Sequence, residues 1–574
     1  MPIGGEYGQS GVTRPICLFH ERIHVRQKDS ALDLGTYDYI IVGAGTAGCL
    51  LANRLSADPA VSVLLLEAGG NDNYLWIHIP VGYLYCINNP RTDWCFKTEP
   101  EPGLNGRAIG YPRGKVLGGC SSINGMIYMR GQARDYDHWR QLGNTGWGWD
   151  DVLPFFKQHE DFAADAAPDD PLHGKGGEWR IEKQRLHWPI LDAFRDAAVE
   201  VGIPRVSDFN RGDNTGIAYF QVTQRGGIRV NAAKAFLKPV RQRQNLRIVT
   251  AAQASQVLID KGRATGVALT VAGRPAIAKA QGEVILAAGA IGSPQLLELS
   301  GIGNGTRLQG LGITPLHQLA GVGENLQDHL QLRMIFRVAN TLTLNQRAGS
   351  WRGKSKIALE YLLQRRGPMS MAPSQLGAFA KSDPSLETAD LEYHVQPLSL
   401  EKFGEPLHEF PAITASVCHL RPESRGSSHA VSSDFRAAPS IRPNYLATAH
   451  DQRTAAEAIR LTRRILAAKA MEPYSPQEYL PGAGLINDAD LKAAAGSIGT
   501  TIFHPVGTAK MGHDDRAVVD ARLRVHGIDG LRVIDASVMP SITSGNTNAP
   551  TLMIAEKGAA MIREDRRRYK AEAS

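Results

Sequence analysis

The sequence predicts an α/β fold, and three observations carry that prediction. Tyr37-Asp38-Tyr39-Ile40-Ile41-Val42 reads as a short buried strand that runs straight into Gly43-Ala44-Gly45-Thr46-Ala47-Gly48. A helical pattern through Leu50, Leu51 and Leu55 follows, and then a second strand, Val61 to Leu66, which ends in Glu67. A third strand (Val284, Ile285, Leu286) runs into another turn of small residues, Ala287 to Pro294. Strand, glycine turn, helix and strand in that order form a Rossmann-like dinucleotide-binding unit.

Each residue of the first turn has a physical role. Gly43 permits the tight turn, Gly45 lets backbone approach a pyrophosphate, and Gly48 lets the helix pack on the strand. Thr46 and Ala47 open the helix, whose N-terminal N–H groups and dipole favour phosphate. Glu67 lies nineteen residues after Gly48, close to the roughly 20-residue spacing of a carboxylate that grips a ribose hydroxyl.

That fingerprint serves both NAD and FAD. Arg113-Gly114-Lys115-Val116-Leu117-Gly118-Gly119-Cys120-Ser121-Ser122-Ile123-Asn124-Gly125 is a second small-residue loop, ending in an amide. Residues without bulk allow contact with a flat ring or a phosphate, and successive N–H groups can form an anion nest. On composition alone a plain Gly/Ser connector is equally open.

Near the C-terminus stand His504-Pro505-Val506-Gly507-Thr508, Leu531 to Ser537 with Asp535 and Ala536 at its end, and Gly545-Asn546-Thr547-Asn548-Ala549-Pro550. A neutral histidine can take a proton from a hydroxyl, and an amide can hold the oxygen. The chemistry suggested is removal of hydrogen from an alcohol, provided the N-terminal unit supplies an acceptor.

Composition bounds the alternatives. A chain of 574 residues is long enough for more than one domain, and 43% apolar with 21% charged residues reads as globular. The net charge of +7 is modest, and no Lys/Arg run interleaves with aromatics, so no nucleic-acid partner is expected. Basic residues gather at the ends (Arg14, Arg22, Arg26, Lys28; Arg566-Arg567-Arg568, Lys570), as solvated tails or as contacts to anionic lipid. Six cysteines without paired spacing point to a reducing cytoplasm, with peripheral contact at an inner membrane left open. No window approaches the roughly 20 apolar residues of a membrane span. Residues 1–34 lack a signal peptide's apolar core and read as a disordered extension. Within them His20-Glu21-Arg22-Ile23-His24 fits a zinc-protease pattern, but no third ligand follows, so no metal is expected.

Together these elements resemble the glucose–methanol–choline oxidoreductases, which bind FAD. Gly289-Ala290 through Gly303 looks like one signature of that family over its whole length. Arg113 to Asn124 resembles the other, departing at Cys120, where Gly, Ser or Thr is more usual. The resemblance runs from near Tyr37 to near Arg563. It implies an FAD-binding domain assembled from residues 35–155, 215–335 and 500–565. It also implies a substrate-binding domain and lid from 156–214 and 336–499, built on an antiparallel sheet flanked by helices. Residues 1–34 and 566–574 then become an extension and a basic tail.

Carried over position by position, the resemblance places Gly43, Gly45, Thr46, Ala47, Gly48, Glu67 and Ala68 on the ADP side. Val116, Asn124, Gly125, Met126 and Ile127 meet the isoalloxazine and ribityl groups. Ala254 falls where the family usually has a valine whose backbone meets adenine. Asp535 and Ala536 supply a second pyrophosphate–ribityl contact, and Thr547 completes the cofactor set. His504 matches the catalytic base and Asn546 its partner. Ile123 falls where choline oxidases carry the histidine bonded to flavin, so FAD should be held non-covalently.

The reaction implied is oxidation of a primary alcohol to its aldehyde. His504 takes the hydroxyl proton, hydride passes to flavin N5, and electrons go to a quinone-type acceptor or oxygen. The motif set most resembles bacterial FAD-dependent alcohol and choline dehydrogenases. Choline needs an aromatic cage and usually a carboxylate; Tyr361, Glu392 and Tyr393 are candidates that nothing in the sequence arranges. Two non-oxidative alternatives share the fold, hydroxynitrile lyases and fatty-acid photodecarboxylases. The latter have a cysteine directly before Arg-Pro, whereas Leu420 precedes Arg421-Pro422 here and Cys418 lies two positions off. Oligomeric state stays open.

Elsewhere, Trp139 to Phe156 reads as a helix-containing connector, and Asp161 to Gly177 as a mobile loop in the lid region. Pro189 to Gly202 and Asp451 to Ala470 read as amphipathic helices. Asp328-His329 reads as a structural hydrogen-bonding pair.

Overall fold

The computed structural model describes residues 31–164, 169–401 and 405–573. The His20–His24 pattern and residues 165–168 of the expected lid loop lie outside them.

Two seven-stranded sheets organise the chain. The first orders its strands Leu246–Val249, Val63–Leu66, Leu32–Val42, Arg274–Leu286, Arg263–Val271 and Ala252–Asp260, with Leu531–Val533 also on Arg274–Leu286. Leu246–Val249, Val63–Leu66, Leu32–Val42, the end of Arg274–Leu286 and Leu531–Val533 run parallel. Val63–Leu66 is buried throughout, as a strand covered on both faces must be, which is why it reads as a continuous apolar run. The helix Thr46–Leu55 (α1) packs on this sheet and against the final helix.

In the second sheet the strand order is Gln477–Leu480, Leu330–Arg337, Ala412–His419, Leu391–Gln396, Leu376–Ala380 and Gly216–Tyr219, with Gly499–Thr501 also on Leu330–Arg337, all antiparallel. Alternation along these strands gives the sheet two different faces. Met334, Tyr393, Val395 and Val417 join Phe194 of the helix Pro189–Glu200 and Ile459 of Ala449–Leu466 in one apolar cluster. Gln331, His394 and Gln396 turn to the opposite face, toward the first sheet and the cavity described below. The two amphipathic helices expected from the sequence are thus present, ending a few residues earlier.

Several boundaries move. The first strand begins at Leu32, paired with Ala276, inside the expected 1–34 extension. Gly216–Tyr219 and Leu330–Arg337 belong to the antiparallel sheet, although both fall largely within the 215–335 segment expected in the FAD-binding domain. The expected basic tail continues the last helix, Asn548–Ala573. An ion pair and a hydrogen bond hold it there: Arg568 pairs with Glu564, and Arg566 Nη2 donates to Ala60 O.

Among the described residues Cys49, Cys86, Cys95, Cys120 and Cys418 are free thiols, and no helix is long and apolar enough to cross a membrane.

Candidate active site

Between the sheets runs a cavity of about 320 Å³ that reaches from the first glycine turn to His504. At one end the turn is built as the sequence requires. Gly43 has φ +102°, and a Cβ there would sit 2.5 Å from Ala287 O. A Cβ on Gly48 would meet Gly43 O at 1.8 Å, so the start of α1 can lie against the turn only without a side chain. No side chain caps α1 at Gly45, nor the helix Gly289–Leu299 (α2) at Ala288. The first N–H groups of α1 therefore face the cavity as donors for an anion, whereas Gly289 N of α2 is already taken by Asp535. Gly45 and Gly119 bring the two glycine loops together, since a Cβ on Gly119 would lie 2.6 Å from Gly45 Cα.

Two carboxylates frame this end. Glu67 accepts from Ala44 N (3.0 Å) and Gly69 N (2.8 Å), and burial pushes it up to about 7. Asp535 accepts from Gly289 N (2.8 Å), Ser293 Oγ and Ser537 N, and burial likewise raises it. Both carboxylates fix turns as well as line the cavity. Thr46 Oγ1 donates to Asn548 Oδ1 (2.8 Å), tying α1 to the last helix.

At the other end stands His504, held from two sides. Asp328 Oδ1 accepts from its backbone N (2.8 Å), while Asp328 Oδ2 gathers Thr501, Tyr445 and Tyr111 hydroxyls at 2.6, 2.6 and 2.9 Å. Arg113 Nη2 donates to Phe503 O (2.8 Å), and Phe503 adopts φ +71°, a conformation that L residues rarely hold without such support.

The imidazole itself sits in a directed chain. His329 Nε2 lies 3.1 Å from Leu420 O, an acceptor only, so Nε2 carries the proton. Neutral His329 then offers Nδ1 as acceptor to His504 Nδ1, 3.1 Å away. That places the His504 proton on Nδ1 and leaves Nε2 with its lone pair. Asn546 Nδ2, at 3.0 Å from Nε2, is the matching donor, and Asn546 Oδ1 is buried without a partner. Both rings are held neutral. Burial pushes His329 down to about 4, and burial reinforced by His329, His394 and Arg113 holds His504 well below the ordinary value of 6.5.

This has a pH consequence. An ordinary imidazole has lost about three quarters of its basic form at pH 6, whereas His504 keeps it. The rate constant of a reaction that uses the His504 Nε2 lone pair as its base should therefore show no inflection between about pH 8 and about pH 6. A fall centred near 6.5 would show that His504 titrates normally. The linkage to stability has the opposite sense. His329 is depressed in the folded state, so its contribution is complete above 6.5 and is lost as pH falls from 6.5 toward about 4.

His329 fixes the tautomer of His504 through its hydrogen bonds. In His329→Leu the acceptor for Nδ1–H is gone and His504 can take the unreactive tautomer. A reaction that uses the Nε2 lone pair as base should slow about tenfold or more with KM nearly unchanged, and His329→Gln, which restores an acceptor, should recover part of it. Equal rates in all three proteins would remove His329 from this role.

The cavity brings together most of the residues singled out in the sequence: Gly43, Gly45, Thr46, Ala47, Glu67, Ala68, Asn124, Gly125, Met126, Ile127, Ala254, Asp535, Ala536, Asn546, Thr547 and His504. Gly48 and Val116 stay behind its wall; Val116 is buried and bridges Gly70 through its backbone. Asp328 and His329 do not form a pair with each other; each holds His504 by a different atom. The three choline-cage candidates are not assembled. Tyr361 bonds Gly227 O, Tyr393 bonds Thr462, and Glu392, behind the cavity wall, lies 3.2 Å from His394 Nε2. Sequence reasoning missed His329, Asp328, Asn548, Gln331, His394 and Gln396 as site residues. An Asp-His step at the head of an apolar strand was the available signal for the first two.

The GMC oxidoreductase family matches this chain over residues 37–331 and again over 422–555. The oxygen-dependent choline dehydrogenase of Vibrio vulnificus (strain YJ016) is 40% identical over 533 residues, spanning 92% of this chain and 94% of that protein. The alcohol dehydrogenase (acceptor) of Pseudomonas putida is 40% identical over 529 residues, 92% of this chain and 95% of that one. A solved FAD-dependent oxidoreductase from Chaetomium thermophilum superposes with a TM-score of 0.84 at 27% identity, over 92% of this chain and 100% of that one.

Proposed function

The chain belongs to the GMC oxidoreductase family, and from that premise we propose that it binds FAD without a covalent bond and oxidises a primary alcohol to its aldehyde. The single observation that carries the reading is the proton order Leu420–His329–His504–Asn546, which leaves a neutral Nε2 lone pair beside an unpartnered amide oxygen at the cavity.

The cavity fits FAD. The uncapped start of α1, with the Gly43 to Gly48 turn, would hold the diphosphate. Glu67 would meet the ribose of the adenosine part, and Ala254 would flank adenine. Asn124 to Ile127 and the 535–536 turn would line the flavin end, where Ile123 offers no atom for a covalent link. When bound, FAD supplies the two-electron acceptor for the carbinol hydride.

The protein's own residues do the rest. A hydroxyl placed between His504 and Asn546 takes over their mutual bond. Its proton moves to His504 Nε2, and its oxygen accepts from Asn546 Nδ2. The imidazolium then formed donates Nδ1–H to His329, so the charge is met without rearrangement. Burial excludes water from the proton's destination.

The acceptor in this reading is a quinone or oxygen. The choline-specific alternative is disfavoured by the dispersal of Tyr361, Glu392 and Tyr393. Anaerobic mixing of holoenzyme with a panel of primary alcohols tests the proposal: at least one should bleach the flavin. A panel that bleaches nothing would point instead to a non-oxidative member of the fold.

A further inference from the structure

The helix Trp351–Gln364 (α3) carries a surface that neither the fold nor the cavity uses. Its inner face buries Ile357 and Tyr361. Its outer face exposes Trp351 (74%), Leu359 (57%), Leu362 (68%) and Leu363 (73%). Leu359, Leu362 and Leu363 stand three and four residues apart and so form one stripe; Trp351, eleven residues before Leu362, lies along its edge. Single exposed leucines are ordinary, but a contiguous apolar stripe marks a contact surface.

The charges around the stripe have one sign. Arg352, Lys354 and Lys356 are exposed on the same helix, and Arg365 and Arg366 follow its end. The helix has one acid, Glu360, and Arg347 Nη2 holds it at 3.3 Å. Leucines and tryptophan inside a set of lysines and arginines complement a layer of lipid phosphates over acyl chains. The apolar groups enter that boundary while the long cationic stems reach back to the headgroups.

The position of α3 gives such contact a use. The chain leaves it through the turn Pro368–Ser370 and then supplies Pro373 and Ser374 to the cavity wall. That turn packs against Pro80–Gly82, which leads directly into Tyr83, another cavity residue. Leu75 and Tyr85, on the short helices flanking Pro80–Gly82, are exposed as well.

We propose that the outer face of α3 docks onto a bilayer containing anionic lipid, lying in the headgroup plane and holding the cavity rim against the membrane. Docking does not depend on the alcohol-oxidising reading; it adds a membrane-dissolved source for a lipophilic substrate or a quinone acceptor.

The test is sedimentation of holoenzyme with vesicles of equimolar phosphatidylglycerol and phosphatidylcholine, and with vesicles of phosphatidylcholine alone. Wild-type protein should pellet with the anionic vesicles, less so with the neutral ones, and less as salt is raised. Leu359→Glu with Leu363→Glu should lower partitioning at least about tenfold, with an unchanged melting temperature and unchanged alcohol-dependent dye reduction in solution. Lys354→Glu with Lys356→Glu should remove much of the preference for anionic lipid. Wild-type protein that stays in the supernatant, or leucine variants that bind as well as wild type, would overturn the proposal. So would light scattering that finds a lipid-free dimer which the leucine variants convert to monomer.

Discussion

His504→Ala is expected to slow alcohol-dependent bleaching of the flavin at least about a hundredfold while FAD stays bound. The size follows from what is lost. His504 is the group at the cavity with a lone pair assigned by its own hydrogen bonds, and without it Asn546 has no base beside it. Asn546 alone can hold an oxygen but cannot take a proton. Retention of FAD is expected because the nucleotide end is built by Gly43 to Gly48, α2 and the 535–536 turn, none of which leans on the imidazole. Stopped-flow bleaching and the flavin absorbance of the purified variant check both halves. Bleaching at the wild-type rate would take the base role away from His504.

Gly48→Ala is expected to cost most of the FAD affinity. A Cβ at that position would lie 1.8 Å from Gly43 O, 3.0 Å from Gly43 C and 3.4 Å from Ile41 Cγ2. The first two contacts are backbone, so relief requires α1 to move off the turn that presents its N–H groups. Overpacking of this kind typically costs about 1–3 kcal/mol, and here the strain falls on the phosphate cradle. FAD should dissociate at least about tenfold more readily, each tenfold corresponding to about 1.4 kcal/mol. Gly70→Ala is the control, because a Cβ there meets nothing within 4 Å. Titration of apoprotein with FAD reads the difference, and equal affinities for the two variants would contradict this account of the turn.

Where motifs are local the sequence was readable, and where contacts are long-range it was not. The turn from Gly43 to Gly48, its strands and Glu67 lie within thirty-five residues, and Gly43 and Gly48 each answer to a steric demand that their spacing announces. The antiparallel sheet came only with the family resemblance. Gly216–Tyr219 enters it across a register with Leu376–Ala380, more than 150 residues away, which no local pattern announces. His329 and His504 are separated by 175 residues, so their ring contact left no spacing to read. The same holds for the tautomer, which rests on Leu420 O and hence on the path of the strand Ala412–His419 beside Leu330–Arg337. The expected basic tail failed for a local reason: Arg566 to Arg568 continue a helix whose acids, Glu564 and Asp565, pair with arginines on it and beside it.

The exposed face of α3 illustrates a different limit. Its leucines fit a buried amphipathic helix as readily as a surface one, because periodicity gives the stripe and not what covers it. Structure decides that Ile357 and Tyr361 face inward and that Leu359, Leu362 and Leu363 do not.

The most direct test of the central claim is a single anaerobic turnover in which aldehyde is counted against flavin bleached. Holoenzyme is mixed with an excess of an alcohol that bleaches it, and both quantities are measured in the same sample. One aldehyde formed for each flavin bleached is the predicted result; bleaching without aldehyde, or no bleaching with any primary alcohol, would contradict it.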